Sequence, residues 1–148
     1  MNLKVNKTPI IHFDEKKQIW IPQPTRFWIL EKDFHKKISR LEEKGKIKEW
    51  ERKIQEDESL FRFFVSLHEK EVIRRKEILE KQFKHLENTK AYKVLLDKNL
   101  GIGSIRNFRD KPFKVKCLHL WTAYHIGEKE FENPIGEYVL KEIQNGSS

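Results

Sequence analysis

Short apolar runs divided by polar turns and prolines fill the first thirty residues, the pattern of extended chain. Ile10-Ile11-His12-Phe13 and Gln18-Ile19-Trp20-Ile21 flank the polar stretch Asp14-Glu15-Lys16-Lys17, which predicts a hairpin. Pro22 and Pro24 punctuate the chain, and Arg26-Phe27-Trp28-Ile29-Leu30 predicts a third strand. Beyond it the apolar spacing changes to three and four. Asp33 is placed to cap a helix through Glu43, with Phe34, Ile38 and Leu41 on one stripe and Gly45 as its stop. Lys46 to Glu56 repeats the pattern through Ile47, Trp50 and Ile54. The longest helix is predicted from about Ser59 to Leu86, with Leu60, Phe64, Leu67, Glu71, Arg74 and Ile78 along one face. That face is apolar at both ends and charged in the middle. Either a turn rolls into solvent there, or a partly buried charged turn marks a polar cleft.

A short helix around Thr89 to Asp97 leads to the loop Leu100-Gly101-Ile102-Gly103-Ser104. Val115 to Ile126 reads as a core-facing helix closed by Gly127, and Asn133-Pro134 opens the last helix, which carries Leu140 and Ile143. The tail from Asn145 is expected to fray. There is no internal repeat, low-complexity block or linker. The expected architecture is α+β: one domain over residues 1–148, a small N-terminal antiparallel sheet of about three strands, and five to six helices, one of them long.

The chain has 148 residues, enough for a sizeable core, with ten Phe, four Trp and three Tyr to fill it. A single cysteine, Cys117, excludes an internal disulfide. No apolar run approaches a membrane span and the first residues lack a signal peptide's apolar core, so a cytoplasmic protein with no membrane partner is expected. Abundant Lys and Glu with one Met and one Cys fit a thermophile's surface chemistry. Lys and Arg total 31 against 23 acidic residues, a net charge of +8. Its distribution is uneven: Lys98, Arg106, Arg109, Lys111, Lys114 and Lys116 face only Asp110 between positions 98 and 116. An anionic partner, nucleic acid or nucleotide, is therefore expected.

Reactive side chains are densest at Lys116-Cys117-Leu118-His119, with His125 beyond. Residues two apart on a helix point to opposite sides, so helical geometry opposes a shared metal there; only if Cys117 and His119 were both extended would they share a face and allow one. No metal and no cofactor are expected. A thiol in a helix's first turn beside Lys116 could instead act as a nucleophile, with His119 taking its proton, or pack as a small core residue. Gly101 and Gly103 could turn backbone amides toward an oxyanion neutralised by Arg106, Arg109 and Lys116, or could form an ordinary turn. Phe108, Phe113, Trp121 and Tyr124 suit stacking on bases and core packing equally.

Three blocks carry a resemblance. They are Pro22-Gln23-Pro24-Thr25-Arg26-Phe27-Trp28-Ile29-Leu30 with Ser39-Arg40-Leu41-Glu42-Glu43-Lys44-Gly45, then Gly101-Ile102-Gly103, then Val115-Lys116-Cys117-Leu118-His119 with Asn133-Pro134-Ile135-Gly136. Together they resemble the bacterial family called domain of unknown function 501, from about Ile19 to Val139. The resemblance implies no established activity. It marks Thr25, Trp28, Gly101, Gly103, Lys116, Cys117, His119, Asn133 and Gly136 as signature positions, with His68 and Arg74-Arg75 matching a further His and Arg on a central helix. Many members carry a cysteine where this chain has Glu31, so a two-thiol mechanism is not available here. Members are often encoded near cell-division and polyphosphate-hydrolysing proteins.

These readings converge on one expected pocket, gathered from the Trp28 strand, the Arg74 turn, the Gly101 loop and the start of the Cys117 helix. Its expected ligand-binding residues are Thr25, Trp28, Arg74, Arg75, Gly101 and Gly103, together with Ser104, Arg106, Arg109, Lys116 and Asn133. The expected ligand bears phosphate, with RNA or nucleotide as its class. One alternative is an enzyme using Cys117 as nucleophile with His119. Another is a cell-division-linked interaction module, which would present an exposed apolar patch and no polar pocket.

Overall fold

A computed structural model describes residues 4–146. The predicted hairpin is present. Strands β2 (Ile11–Asp14) and β3 (Ile19–Pro22) pair antiparallel with Ile11 opposite Pro22 and Asp14 opposite Ile19. Asp14 Oδ1 accepts the Lys16 and Lys17 amides at 3.0 and 3.1 Å, which closes the turn. The third predicted strand, β4 (Phe27–Ile29), does not join this pair. It pairs antiparallel with β1 (Val5–Lys7), giving two two-stranded ribbons in place of one sheet of three. Pro22 and Pro24 have no amide to continue the ladder past β3. The polar β1 carries no apolar signal by which a sequence could announce it.

Six α-helices follow among the described residues. Helix α1 (Lys32–Glu43) buries the predicted Phe34, Ile38 and Leu41, but its cap is Glu31, whose carboxylate accepts the Phe34 amide at 3.2 Å; Asp33 lies inside the first turn. Helix α2 (Lys46–Glu56) starts from Gly45. The long α3 (Glu58–Gln82) is capped by Asp57 and ends four residues before the predicted stop. Its buried stripe is Phe61, Phe64, Leu67, His68, Glu71, Arg75 and Leu79, so the face turned inward is rotated from the predicted one. Thr89 caps α4 (Lys90–Leu95), and Asn133 caps α6 (Pro134–Gln144).

Helix α5 (Leu118–Gly127) forms the centre. Leu118 and every residue from Leu120 to Tyr124 are buried, and it packs on α1, α6 and both strands of the β1–β4 ribbon. A helix apolar on all sides belongs inside. Phe34, Ile38, Phe64, Phe113 and Trp121 fill the main core around it, while a second cluster of Ile10, Ile11, Leu79, Tyr92 and Leu95 fixes the hairpin to α3 and α4. Among the described residues no helix is long and apolar enough to cross a membrane.

Candidate functional site

Two features meet where the chain enters α5. Val115 is pinned there: its amide donates to Glu51 Oε2 at 2.9 Å, and its carbonyl accepts the Cys117 amide at 2.9 Å and the Trp121 indole at 2.8 Å. Between them Lys116 takes φ +72°, so the chain makes a tight three-residue turn in a conformation few side chains adopt. The helix consequently begins at Leu118, three residues later than predicted, and Cys117 is extended (φ −160°, ψ 160°). Of the two residues expected to need an extended backbone only Cys117 has one; His119 is helical, but with Cys117 ahead of the helix the two no longer sit two apart on one helix.

Glu42 of α1 completes the cluster. Its Oε2 accepts the Leu118 amide at 2.7 Å, capping α5 from outside, and lies 3.1 Å from His119 Nδ1. His119 Nε2 lies 3.0 Å from the His35 carbonyl and 3.3 Å from Ser39 Oγ. One ligand-type atom each from Glu42, Cys117 and His119 falls within 4.8 Å of the other two, and all three residues are half-buried. Burial alone would lower the His119 pKa, but hydrogen bonds to Cys117, Glu42 and the His35 carbonyl hold it up at about 10. Glu42, despite its own burial, is lowered by His119 and the Leu118 amide. At neutral pH the ring is an imidazolium with both N–H groups engaged.

Beside this cluster runs a basic groove of about 1030 Å³. Arg52 from α2 and Arg106, Lys111, Lys114 and Lys116 line it with Ser104, against Glu51 and Asp110. Lys116 Nζ donates to the Gly103 carbonyl, so the glycine loop and the α5 entrance are joined. Arg106 and Lys111 make exposed ion pairs with Asp97 and Glu58. Among the described residues Arg52, Lys114 and Lys116 make no ion pair within 4.0 Å. Phe108 and Phe113 form the apolar wall, both almost wholly buried.

Residues 4–141 match the family described as protein of unknown function, DUF501. The chain belongs to the DUF501 family. No curated protein and no solved structure matches it. The match spans both the groove and the Glu42–Cys117–His119 cluster.

Of the expected ligand-binding residues in this DUF501 chain, the groove gathers Ser104, Arg106 and Lys116. The others lie elsewhere, which corrects the single pocket expected from the sequence. The glycines face inward: the Gly101 amide donates to the Ile105 carbonyl at 2.7 Å and the Ile102 amide to His68 Nδ1 at 2.9 Å. A Cβ on Gly101 would stand 2.2 Å from that nitrogen, and one on Gly103 (φ +63°) 2.3 Å from Leu120 Cδ2. They permit close packing instead of cradling an oxyanion. Arg109 sits outside, paired with Glu69 at 3.2 Å. Arg75 is fully buried and binds the Leu95, Asp97 and Leu100 carbonyls, tying α3 to the loop. Asn133 is consumed by capping, accepting the Gly136 amide and donating to the Trp121 and Phe131 carbonyls. Thr25 is buried in the strand connection; Trp28 is exposed on the ribbon and donates to Thr8 Oγ1. Arg74 pairs with Glu77 and Glu128. Phe108, Phe113, Trp121 and Tyr124 are all buried, so none offers a face for stacking on bases.

Two groups escaped the sequence reading. His35, Ser39 and Glu42 recur at i, i+4 and i+7, a polar stripe beside the apolar stripe of α1, and that spacing was the available signal. The second is the ion pair Arg26–Glu71, at 2.7 Å and almost fully buried. The Tyr124 hydroxyl donates to Glu71 at 2.6 Å and accepts the Arg26 amide at 2.9 Å. Burial pushes the Glu71 carboxyl up, opposed by Arg26 and Tyr124. The charged middle of α3 is thus a buried polar centre, but through Glu71 and Arg75, not Arg74.

Proposed function

We propose that this DUF501 protein binds a phosphate-bearing ligand, RNA before free nucleotide, in the basic groove beside α5. The observation that carries the reading is the groove's lining: five cations against two carboxylates, with three of the cations, Arg52, Lys114 and Lys116, lacking an ion-pair partner among the described residues. Such a surface holds phosphates by charge and releases their counterions. Because the neighbouring aromatics are buried, the groove recognises backbone phosphate and not bases. An open groove suits a strand that runs through it better than a nucleotide that must be enclosed. The test is binding of a fluorescent single-stranded RNA by the wild type and by the Arg52→Gln, Arg106→Gln, Lys114→Gln triple variant, with a nucleoside triphosphate as competitor. Weakened binding by the variant is expected, and equal affinity overturns the reading. Competition at micromolar triphosphate would move the ligand from RNA to nucleotide.

A second reading, a cysteine-dependent enzyme, is favoured by one observation: the half-buried Cys117 thiol lies within 4.8 Å of donor atoms of His119 and Glu42, so an imidazole stands beside the one thiol of the chain. An acylating probe should then label Cys117 faster in the wild type than in His119→Ala, and equal rates contradict it.

A further inference from the structure

We infer that Glu42, Cys117 and His119 form a zinc site with one coordination position left to water. The inference is independent of the groove's ligand. The donor set is the first argument. A thiol sulfur, an imidazole nitrogen and a carboxylate oxygen are the three ligand types that zinc accepts together, and three protein ligands with an open fourth position is the arrangement of reactive zinc centres.

Geometry is the second argument. The three donor atoms already lie within 4.8 Å of one another, and Glu42 Oε2 is 3.1 Å from His119 Nδ1. Tetrahedral zinc needs ligand atoms about 3.3–3.8 Å apart, so closure requires shifts of about 1 Å, within reach of a turn of the Cys117 side chain. That closure exists only because Lys116 takes its left-handed turn and leaves Cys117 extended ahead of the helix.

The third argument is the shell behind the ligands. A zinc-bound histidine commonly gives its other ring N–H to a carbonyl, which fixes the ring and its tautomer. His119 Nε2 already lies 3.0 Å from the His35 carbonyl, leaving Nδ1 to face Glu42. Glu42 is held in turn by the Leu118 amide at 2.7 Å. In the metal-free chain a proton on Nδ1 stands where the ion would sit. On binding, His119 gives up that proton and Cys117 its thiol proton, both to solvent. Two protons are released, and bonds from nitrogen, sulfur and oxygen to zinc replace them.

The test uses the full chain, stripped with chelator and titrated with cobalt(II) as a spectroscopic stand-in for zinc. Expected are one-to-one binding, a thiolate-to-cobalt charge-transfer band and the strong visible bands of a four-coordinate ion, all displaced by zinc. Cys117→Ser should abolish the charge-transfer band, and Glu42→Gln and His119→Gln should each weaken affinity by about tenfold or more. Zinc should also slow alkylation of Cys117 in the native protein. Absence of the charge-transfer band in wild type, or an unaltered spectrum in Cys117→Ser, overturns the site, while the groove reading stands or falls on its own RNA titration. Circular dichroism of each variant identifies misfolding, and the zinc-protection assay on wild type decides the matter without any variant.

Discussion

Glu42 and His119, 77 positions apart, share one carboxylate oxygen with the amide of Leu118: 3.1 Å to the ring and 2.7 Å to the backbone. A single α1 side chain therefore caps the central helix and orients one of its two half-buried imidazoles. In the metal-free protein the sign of the pH effect follows. A histidine whose pKa rises from 6.5 to about 10 on folding contributes stability that is whole below pH 6.5 and lost as pH climbs through 10. Glu42, lowered on folding, contributes stability above its ordinary 4.5 that is lost as pH falls through its folded value. Urea unfolding should show the largest gap between wild type and His119→Gln near pH 6, closing above pH 10. Glu42→Gln, which replaces a charge-assisted acceptor of the Leu118 amide, should lower stability by about 2 kcal/mol at pH 6.

His68 predicts the opposite slope. It is sealed beneath Phe108, accepts the Ile102 amide on Nδ1, and is held to a pKa of about 3 by burial first and by nearby Arg109 second. It stays neutral in the fold, whereas the unfolded chain takes up a proton below pH 6.5. Its contribution is thus present above pH 6.5 and fades at up to about 1.4 kcal/mol per pH unit as pH falls toward 3. The stability difference between wild type and His68→Asn should shrink across that window, and a constant difference would contradict the neutral, buried assignment.

Glu71 and Arg74 lie one turn apart on α3, yet they should respond differently. Truncating Glu71 to Ala takes from buried Arg26 its closest carboxylate, leaving only Glu128 at 3.2 Å, and should cost about 3 kcal/mol by chemical denaturation. Arg74→Ala removes a half-exposed partner of Glu77 and Glu128 and should cost less than about 1 kcal/mol.

Gly101→Ala tests the loop's role. The added methyl would meet His68 Nδ1 at 2.2 Å and Phe108 at 2.8 Å, so a loss of about 1–3 kcal/mol or more is expected. If Gly101 instead served an anion, the variant would keep its stability and lose RNA affinity.

Much of the fold was legible because local chemistry agreed with it. Asn133 and Thr89 cap as their positions suggest, and Phe34, Ile38 and Leu41 turn inward as their spacing requires. The misses have physical causes. β1 is three residues long with a polar centre, so no periodicity could announce Val5 to Lys7. Rotation of α3 by one position exchanges Arg74 for Arg75, and only partners distant in sequence, the Leu95, Asp97 and Leu100 carbonyls, decide which is buried. The basic stretch from Lys98 to Lys116 pointed to the groove, but not which of its cations line it. Lys98 and Arg109 are not among its lining residues, and Arg52 joins from α2. The extended Cys117 depends on the Lys116 turn, which Glu51, Trp121 and Gly103 impose from three other segments.

The most direct measurement of the central claim is RNA affinity across a salt series. Each phosphate held by a groove cation should add about 0.7 to the steepness of log affinity against log salt, so neutralising Arg52, Arg106 and Lys114 together should flatten the slope by about 2. Binding whose affinity and salt slope are the same in wild type and triple variant would place the ligand somewhere other than this groove.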